Sequence, residues 1–226
     1  MGTLYIVSTP IGNLKDLTFR ALETLERVDY VLCEDTRVTV KLLNHYFLKK
    51  QMVSFNDFNE NAKTQSVLND LTSGKDIALV SDAGTPLISD PGFKLVRESI
   101  NKGIMVKAIP GPSAIITSLI ISGMPPDKFI FLGYLPKKEI QLEKTFFTLK
   151  KSLENVNSTA IFYESPYRLV NTLIIIKRVF GNIDVVVCRE LTKIHEEILR
   201  DKVSILIDYF SKTRPKGELV VLCSLK

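Results

Sequence analysis

Cysteine and histidine are scarce in this chain of 226 residues, which holds three of the first and two of the second. Cys33, Cys188 and Cys223 are odd in number and far apart, and no C-x-x-C pair occurs. Neither a disulfide scaffold nor a structural zinc site is therefore expected. The segment His195-Glu196-Glu197-Ile198-Leu199 lacks the second histidine of a zincin helix. No Walker A sequence and no G-x-G-x-x-G turn is present. That weighs against a P-loop nucleoside triphosphatase and against a dinucleotide-binding oxidoreductase. Long apolar runs are missing too. The most apolar stretch, 114–121, is too short to span a bilayer, and residues 1–7 carry no basic region ahead of their short apolar run. The expectation is a soluble, reduced, cytoplasmic protein with no membrane partner.

What is present suits a protein with a real core: 45% of residues are hydrophobic and 24% charged. Thirty Lys and Arg against twenty-five Asp and Glu leave a formal charge of +5. That permits a phosphate-rich partner without requiring one.

Short apolar runs alternate with helical patterns through the first half. Strands are expected at 4–7, 28–33, 77–80 and 104–109, and helices at 18–27, 37–46, 62–71 and 91–101. In helix 18–27, Phe19, Leu22 and Leu25 make the apolar face. Asp90 and Pro91 read as N-cap and first residue of helix 91–101. This β-α order implies an open, mostly parallel sheet covered by helices. Pro112 can start a helix that runs to Ser122 and is apolar on nearly every side, so burial is expected. The domain boundary falls between the breaks at 110–113 and 123–126. In the second half, strands are expected at 129–132, 159–163, 184–189 and 218–222, and helices at 138–153, 166–179 and 203–210. Ser165 and Pro166 repeat the cap-plus-proline start. The pattern is α/β, with strand directions left open.

Loops at the ends of expected strands carry the chemistry, the place where open α/β sheets hold ligands. Ser8-Thr9-Pro10-Ile11-Gly12-Asn13 is by itself an ordinary turn. Cys33-Glu34-Asp35-Thr36-Arg37 offers two carboxylates and an arginine for acid–base work; equally, Asp35 can cap a helix and Glu34 answer its dipole. The segment from Ser81 to Gly92 is long, rich in small residues and stiffened by proline, so backbone can approach a ligand closely. Ile109-Pro110-Gly111-Pro112-Ser113-Ala114 offers N–H groups at a helix start or a hinge. Phe162 and Tyr163 can flank a flat ring or pack in a core. Glu164 with Arg168, and Arg189 with Glu190, can form ion pairs, and residues 212–218 make a basic turn.

Taken in order, these segments resemble one family, the ribosomal RNA small subunit methyltransferases I of the tetrapyrrole methylase superfamily. The stretches that carry the resemblance are Leu4 to Leu14, Cys33 to Arg37, Ser81 to Pro86, Pro110 to Ala114, Phe162 to Pro166 and Arg189 to Lys193. The resemblance implies S-adenosylmethionine as methyl donor, with no metal. It implies transfer to the ribose 2′-oxygen of a cytidine in the decoding region of small-subunit rRNA, within the assembled subunit, by a homodimer. It implies an N-terminal domain, 1–111, on the substrate side of a cleft, and a C-terminal mixed α/β domain, 112–226, with the cofactor in that cleft. Carried over by position, the cofactor residues are Pro10, Ile11, Asp82, Ala83, Gly84, Thr85, Ser113, Ala114, Phe162, Leu191, Gly217 and Glu218. Asp35 or Glu34 would accept the hydroxyl proton and Arg37 would place a phosphate or the sugar. Arg20, Lys137, Lys138, Arg168 and Lys193 would contact RNA phosphates. Family members usually continue past 218–222 with a helical extension, whereas this sequence ends at Lys226, so RNA would be held by the body of the protein or the dimer. The rival readings are a methylase acting on a tetrapyrrole carbon or a modified protein residue, and a non-catalytic RNA-binding protein. The first loop departs from the G-x-G-x-G-D pattern that would favour a tetrapyrrole enzyme.

Overall fold

A computed structural model describes residues 1–225; Lys226, the end of the expected second domain, lies outside them. The chain forms two compact units, Met1–Ser113 and the part from Ala114 onward.

The first unit contains β1 (Thr3–Val7), α1 (Phe19–Arg27), β2 (Tyr30–Cys33), α2 (Thr36–His45), β3 (Gln51–Ser54), α3 (Glu60–Thr72), β4 (Ile77–Val80), α4 (Phe93–Asn101) and β5 (Met105–Ile109). The strand order is β3-β2-β4-β1-β5 and every pairing is parallel. Helices cover both faces. Ala78 and Val80 face a cluster with Leu25 of α1 and Leu42 of α2, while Ile77 and Leu79 face one with Leu68 of α3 and Leu95 of α4. Successive side chains of a strand point to opposite faces. A strand buried on both sides therefore reads as a continuous apolar run such as Ile77-Ala78-Leu79-Val80.

The second unit contains α5 (Ala114–Ser122), β6 (Phe129–Tyr134), α6 (Glu139–Val156), β7 (Thr159–Glu164), α7 (Leu169–Phe180), β8 (Asp184–Arg189), β9 (Glu197–Lys202), α8 (Val203–Lys212) and β10 (Leu219–Cys223). Its order is β6-β7-β10-β8-β9. Only β6 and β7 pair in parallel, and β10 runs antiparallel to both β7 and β8. The two-domain α/β class expected from the sequence is the one observed. No helix among the described residues is long and apolar enough to cross a membrane.

Local expectations differ from the structure at several places. The fourth helix starts at Phe93, and Asp90 does not cap it. Gly92, at φ +122, brings the chain tightly onto β4; a Cβ there would lie 2.5 Å from Leu79 Cδ2. The helix can begin only after that approach. Gly92→Ala is accordingly expected to cost about 2 kcal/mol through strain and overpacking. A urea unfolding midpoint equal to that of the wild type would contradict this.

Helix α7 starts at Leu169 because Ser165 closes a turn ahead of it, its Oγ accepting the Tyr167 N–H at 3.3 Å. Phe19 is 87% exposed, and α1 buries Ala21, Thr24 and Leu25 instead. Helix α5 starts at Ala114 and is buried on one side only, through Ile115, Ser118, Leu119 and Ser122; Ile116 and Ile120 are exposed.

Candidate active site

All strands of the first sheet point the same way, so the loops after β1, β2, β4 and β5 emerge at one edge. Thr9 and Gly84 exchange backbone hydrogen bonds of 2.9 and 3.0 Å and form an isolated bridge between the first and third loops. Thr9 Oγ1 also donates to the Ser81 carbonyl at 3.1 Å. Thr85 Oγ1 lies 3.2 Å from Ser8 Oγ and donates to the Pro112 carbonyl at 3.2 Å, which joins the fourth loop to the other two. Gly84 has φ +84, and a Cβ there would come within 3.3 Å of Ile11 Cγ2. Leu87 and Ser89 of the same segment also have positive φ, at 73° and 69°. Non-glycine residues held there store strain, which gathers at functional sites. Pro10, Ile11, Asp82, Ala83, Gly84, Thr85 and Ser113 therefore lie in loops of one sheet edge. Ala114 opens α5 in the second unit.

The loop after β2 carries the carboxylates. Asp35 caps α2, its Oδ1 accepting the Arg37 N–H at 2.8 Å. The Arg37 guanidinium folds back onto the same carboxylate, with Nη2 at 2.6 Å from Oδ2. These bonds hold the Asp35 carboxyl down at about 2. The Asp35 N–H donates to Asp82 Oδ1 at 3.0 Å and so links this loop to the one after β4. Glu34 is different. Burial first, then the charges of Asp82, Asp90 and Asp57, push its carboxyl above the ordinary range, against a stabilising N–H from Asp82. Glu34, Asp35, Arg37 and Asp82 line an open pocket of about 400 Å³ together with Ser54, Asn56, Asp57 and Phe58. Chemically, this edge offers a ligand backbone and hydroxyl groups, a carboxylate suited to taking a proton, and an exposed guanidinium.

Four of those lining residues escaped the sequence reading, because β3 itself was not expected. The signal is the polar turn after Phe55, where Asn56 Oδ1 accepts the Phe58 N–H at 3.2 Å, an Asx turn.

Asp90 is a further member of the acidic group. Its carboxyl is pushed up to about 6, chiefly by burial, with Asp82 and Asp57 adding to the rise and the Ser81 hydroxyl opposing it. The folded chain thus holds this proton more tightly than the unfolded chain, in which an aspartate titrates near 3.9. Stability owed to the protonated form is complete below about 4 and lost as the pH rises through about 6. Asp90→Asn is expected to be more stable than the wild type at neutral pH, with the difference vanishing in mild acid. Urea midpoints across that range check it.

In the second unit, Phe162 is fully buried and its ring packs 5.9 Å from that of Phe146. Tyr163 lies on the opposite face of β7, 5.1 Å from Phe131. The two rings cannot flank one ligand, since neighbouring strand residues diverge. Leu191 is buried after β8. Gly217, at φ +91, lies so close to Glu190 that a Cβ would collide with its carboxylate. Lys193 Nζ bridges Glu190 at 2.9 Å and Glu218 at 3.1 Å. Arg168 donates to the carbonyls of Leu135 and Pro136 and sits 3.6 Å from Glu164. Arg168 and Lys193 are thus held within the fold, and Glu164–Arg168 is an ion pair as expected. Arg189 pairs with Glu197 rather than with its neighbour Glu190, because β9 lies alongside β8. Arg20, Lys137 and Lys138 are exposed. No group of three or more His, Cys, Asp or Glu is placed to hold a metal ion among the described residues.

A profile of the family described as tetrapyrrole (corrin/porphyrin) methylases matches residues 3–206. The chain is 48% identical, over the whole length of both proteins, to a ribosomal RNA small subunit methyltransferase I of Thermotoga maritima. It is 45% identical to the protein of the same name from Halalkalibacterium halodurans, over 98% of this chain and 75% of that one. Among solved structures, a diphthine synthase superposes with a TM-score of 0.74 at 14% identity, covering 99% of this chain and 90% of the other. At that identity the likeness concerns the fold alone.

Proposed function

The chain belongs to the tetrapyrrole (corrin/porphyrin) methylase family, in the ribosomal RNA small subunit methyltransferase I group, and from that premise we propose that it methylates small-subunit ribosomal RNA with S-adenosylmethionine. The acceptor in this reading is the ribose 2′-oxygen of a cytidine in the decoding region. The observation that carries it is the 48% identity along the entire chain to a protein of that name. The modest charge of +5 favours an acceptor recognised by shape, in the assembled subunit, over bare-strand affinity. The proposal includes a cytoplasmic homodimer, which rests on the resemblance alone.

The residues of the first unit suit such a cofactor. Without a Cβ, Gly84 lets Ile11 pack closely onto its backbone, and the hydroxyls of Ser8 and Thr85 stand beside it. Asp82 is half-buried, its carboxyl raised by burial, and can accept from a ribose hydroxyl or an ammonium group. Pro10, Ala83, Ser113 and Ala114 contribute small side chains or backbone groups. In the second unit Leu191, Gly217, Glu218 and Phe162 are proposed as cofactor residues from the resemblance alone. When bound, S-adenosylmethionine supplies a methyl carbon already activated by its sulfonium.

The chain's own task is placement and proton handling. Holding the 2′-oxygen in line with the methyl carbon provides most of the acceleration. Glu34 is the proton acceptor we favour, because its carboxyl is raised and lines the pocket. Asp35 is occupied by capping α2 and by Arg37, so its role here is to hold that guanidinium near an RNA phosphate.

The reading is tested by incubating the protein and methyl-labelled S-adenosylmethionine with undermethylated small subunits, and separately with a reduced tetrapyrrole. Label in the rRNA supports it, and label only in the tetrapyrrole refutes it.

A further inference from the structure

One end of the second unit's sheet gathers exposed aromatic rings and cations. Strands β6 and β7 run parallel and finish there. The turn 213–218 enters β10 beside them, because Leu219 pairs with Glu164. Tyr167, in the turn after β7, is 80% exposed, and the Arg214 guanidinium lies over its ring, 4.7 Å from the centroid. Arg168 fastens this turn to the segment after β6 by donating to the Leu135 carbonyl at 3.2 Å and the Pro136 carbonyl at 2.7 Å. Lys137 and Lys138, both exposed, follow directly. Tyr134, 67% exposed, ends β6 with its ring 5.3 Å from that of Tyr163.

The charge balance of this end is one-sided. Among the described residues no salt bridge joins Lys137, Lys138, Arg214 or Lys216 to a carboxylate. The nearby acids are engaged elsewhere: Glu164 is buried against Arg168, Glu190 and Glu218 share Lys193, and Glu139, next to Lys138, pairs with Arg178 at 3.2 Å. Neither Tyr167 nor Tyr134 belongs to the core cluster of this unit. Stacking faces beside fixed positive charges suit a single-stranded nucleic acid, whose bases stack on the rings while its phosphates meet the cations. A duplex hides its base faces and would use the cations only.

We propose that this face holds a single-stranded segment of RNA, with one unpaired base stacked on Tyr167 and adjacent phosphates on Lys137, Lys138, Arg214 and Lys216. The choice of RNA over DNA rests on the functional reading above. The choice of a single strand rests on the rings. The face lies at the same sheet end as Gly217 and Glu218, so a strand held there would flank the groups of this unit proposed for the cofactor.

The test is fluorescence anisotropy of the full chain with a labelled single-stranded oligoribonucleotide and with its duplex, over a range of salt. Tyr167→Leu is expected to weaken single-strand binding about ten-fold with the salt slope unchanged, and Tyr167→Phe to bind like the wild type. The combined change Lys137→Ala, Lys138→Ala and Arg214→Ala is expected to lower the log–log salt slope by about 2, at roughly 0.7 per phosphate contact. Thermal melts confirm that the variants are folded. Equal binding of duplex and single strand, or binding by Tyr167→Leu equal to the wild type, would overturn the proposal. So would binding to phosphatidylserine vesicles that RNA does not displace. If the proposal fails in this way while the wild type still methylates rRNA, the functional reading stands. If single strands bind as expected but no RNA accepts methyl, the functional reading fails and the binding face remains.

Discussion

Glu34→Gln is expected to slow methyl transfer at least about 100-fold while leaving cofactor affinity unchanged, because a positioned acid or base contributes roughly that much or more. The two neighbouring carboxylates look alike in the sequence but not in the structure. Asp35 is held down at about 2 by the N–H and guanidinium of Arg37, and so is a poor proton acceptor. The Glu34 carboxyl is raised by burial and by Asp82, Asp90 and Asp57. The sign for activity follows. With Glu34 as the proposed proton acceptor, transfer would need it ionised, so the acid limb of the rate should lie above the ordinary carboxylate range and disappear in Glu34→Gln. Asp35→Asn, which releases Arg37 but keeps Glu34, should lose much less and keep the limb. Single-turnover rates across pH, with calorimetric cofactor binding alongside, separate these roles. A Glu34→Gln enzyme with the wild-type rate would remove Glu34 from the mechanism.

The largest expected effect on stability lies in the second unit. Glu164 is almost wholly buried, yet it accepts the Ser165 N–H at 2.7 Å and the Thr172 hydroxyl, and faces Arg168 Nε at 3.6 Å. Glu164→Leu would leave a buried hydroxyl unsatisfied and Arg168 without its counter-charge. Removing one partner of a buried pair typically costs about 3 kcal/mol or more. Glu164→Gln keeps the shape and an acceptor and should lose less. Both are read from denaturant midpoints at constant slope. If the leucine variant matched the wild type, packing would be compensating for the lost pair, as can happen when a buried ion pair is replaced by apolar side chains.

The parts of the fold most legible in the sequence are those whose burial is uniform. Ile77–Val80 and Asp184–Arg189 read as strands because apolar runs of that length suit the middle of a covered sheet. The strands Gln51–Ser54 and Glu197–Lys202 escaped notice for the converse reason. Both are edge strands, only partly buried, and edge strands tolerate polar residues. Missing the first also hid Asn56, Asp57 and Phe58 on the pocket rim. Cap-plus-proline signals misplaced two helix starts, since neither the approach of Gly92 to Leu79 nor the turn closed by Ser165 is a local property of the sequence. The loops at the first sheet's edge were legible as motifs. Their joining through Thr9, Gly84, Thr85 and Pro112 was not, because it depends on β4 and β5 lying on either side of β1.

The most direct measurement is to map the methyl group itself. Small subunits lacking the modification are incubated with the protein and labelled S-adenosylmethionine, and the rRNA is then digested with alkali, which spares a bond next to a 2′-O-methyl ribose. The expected result is one protected position, at a cytidine of the decoding region. Label on a base, on a ribosomal protein, or spread over many nucleotides would contradict the account.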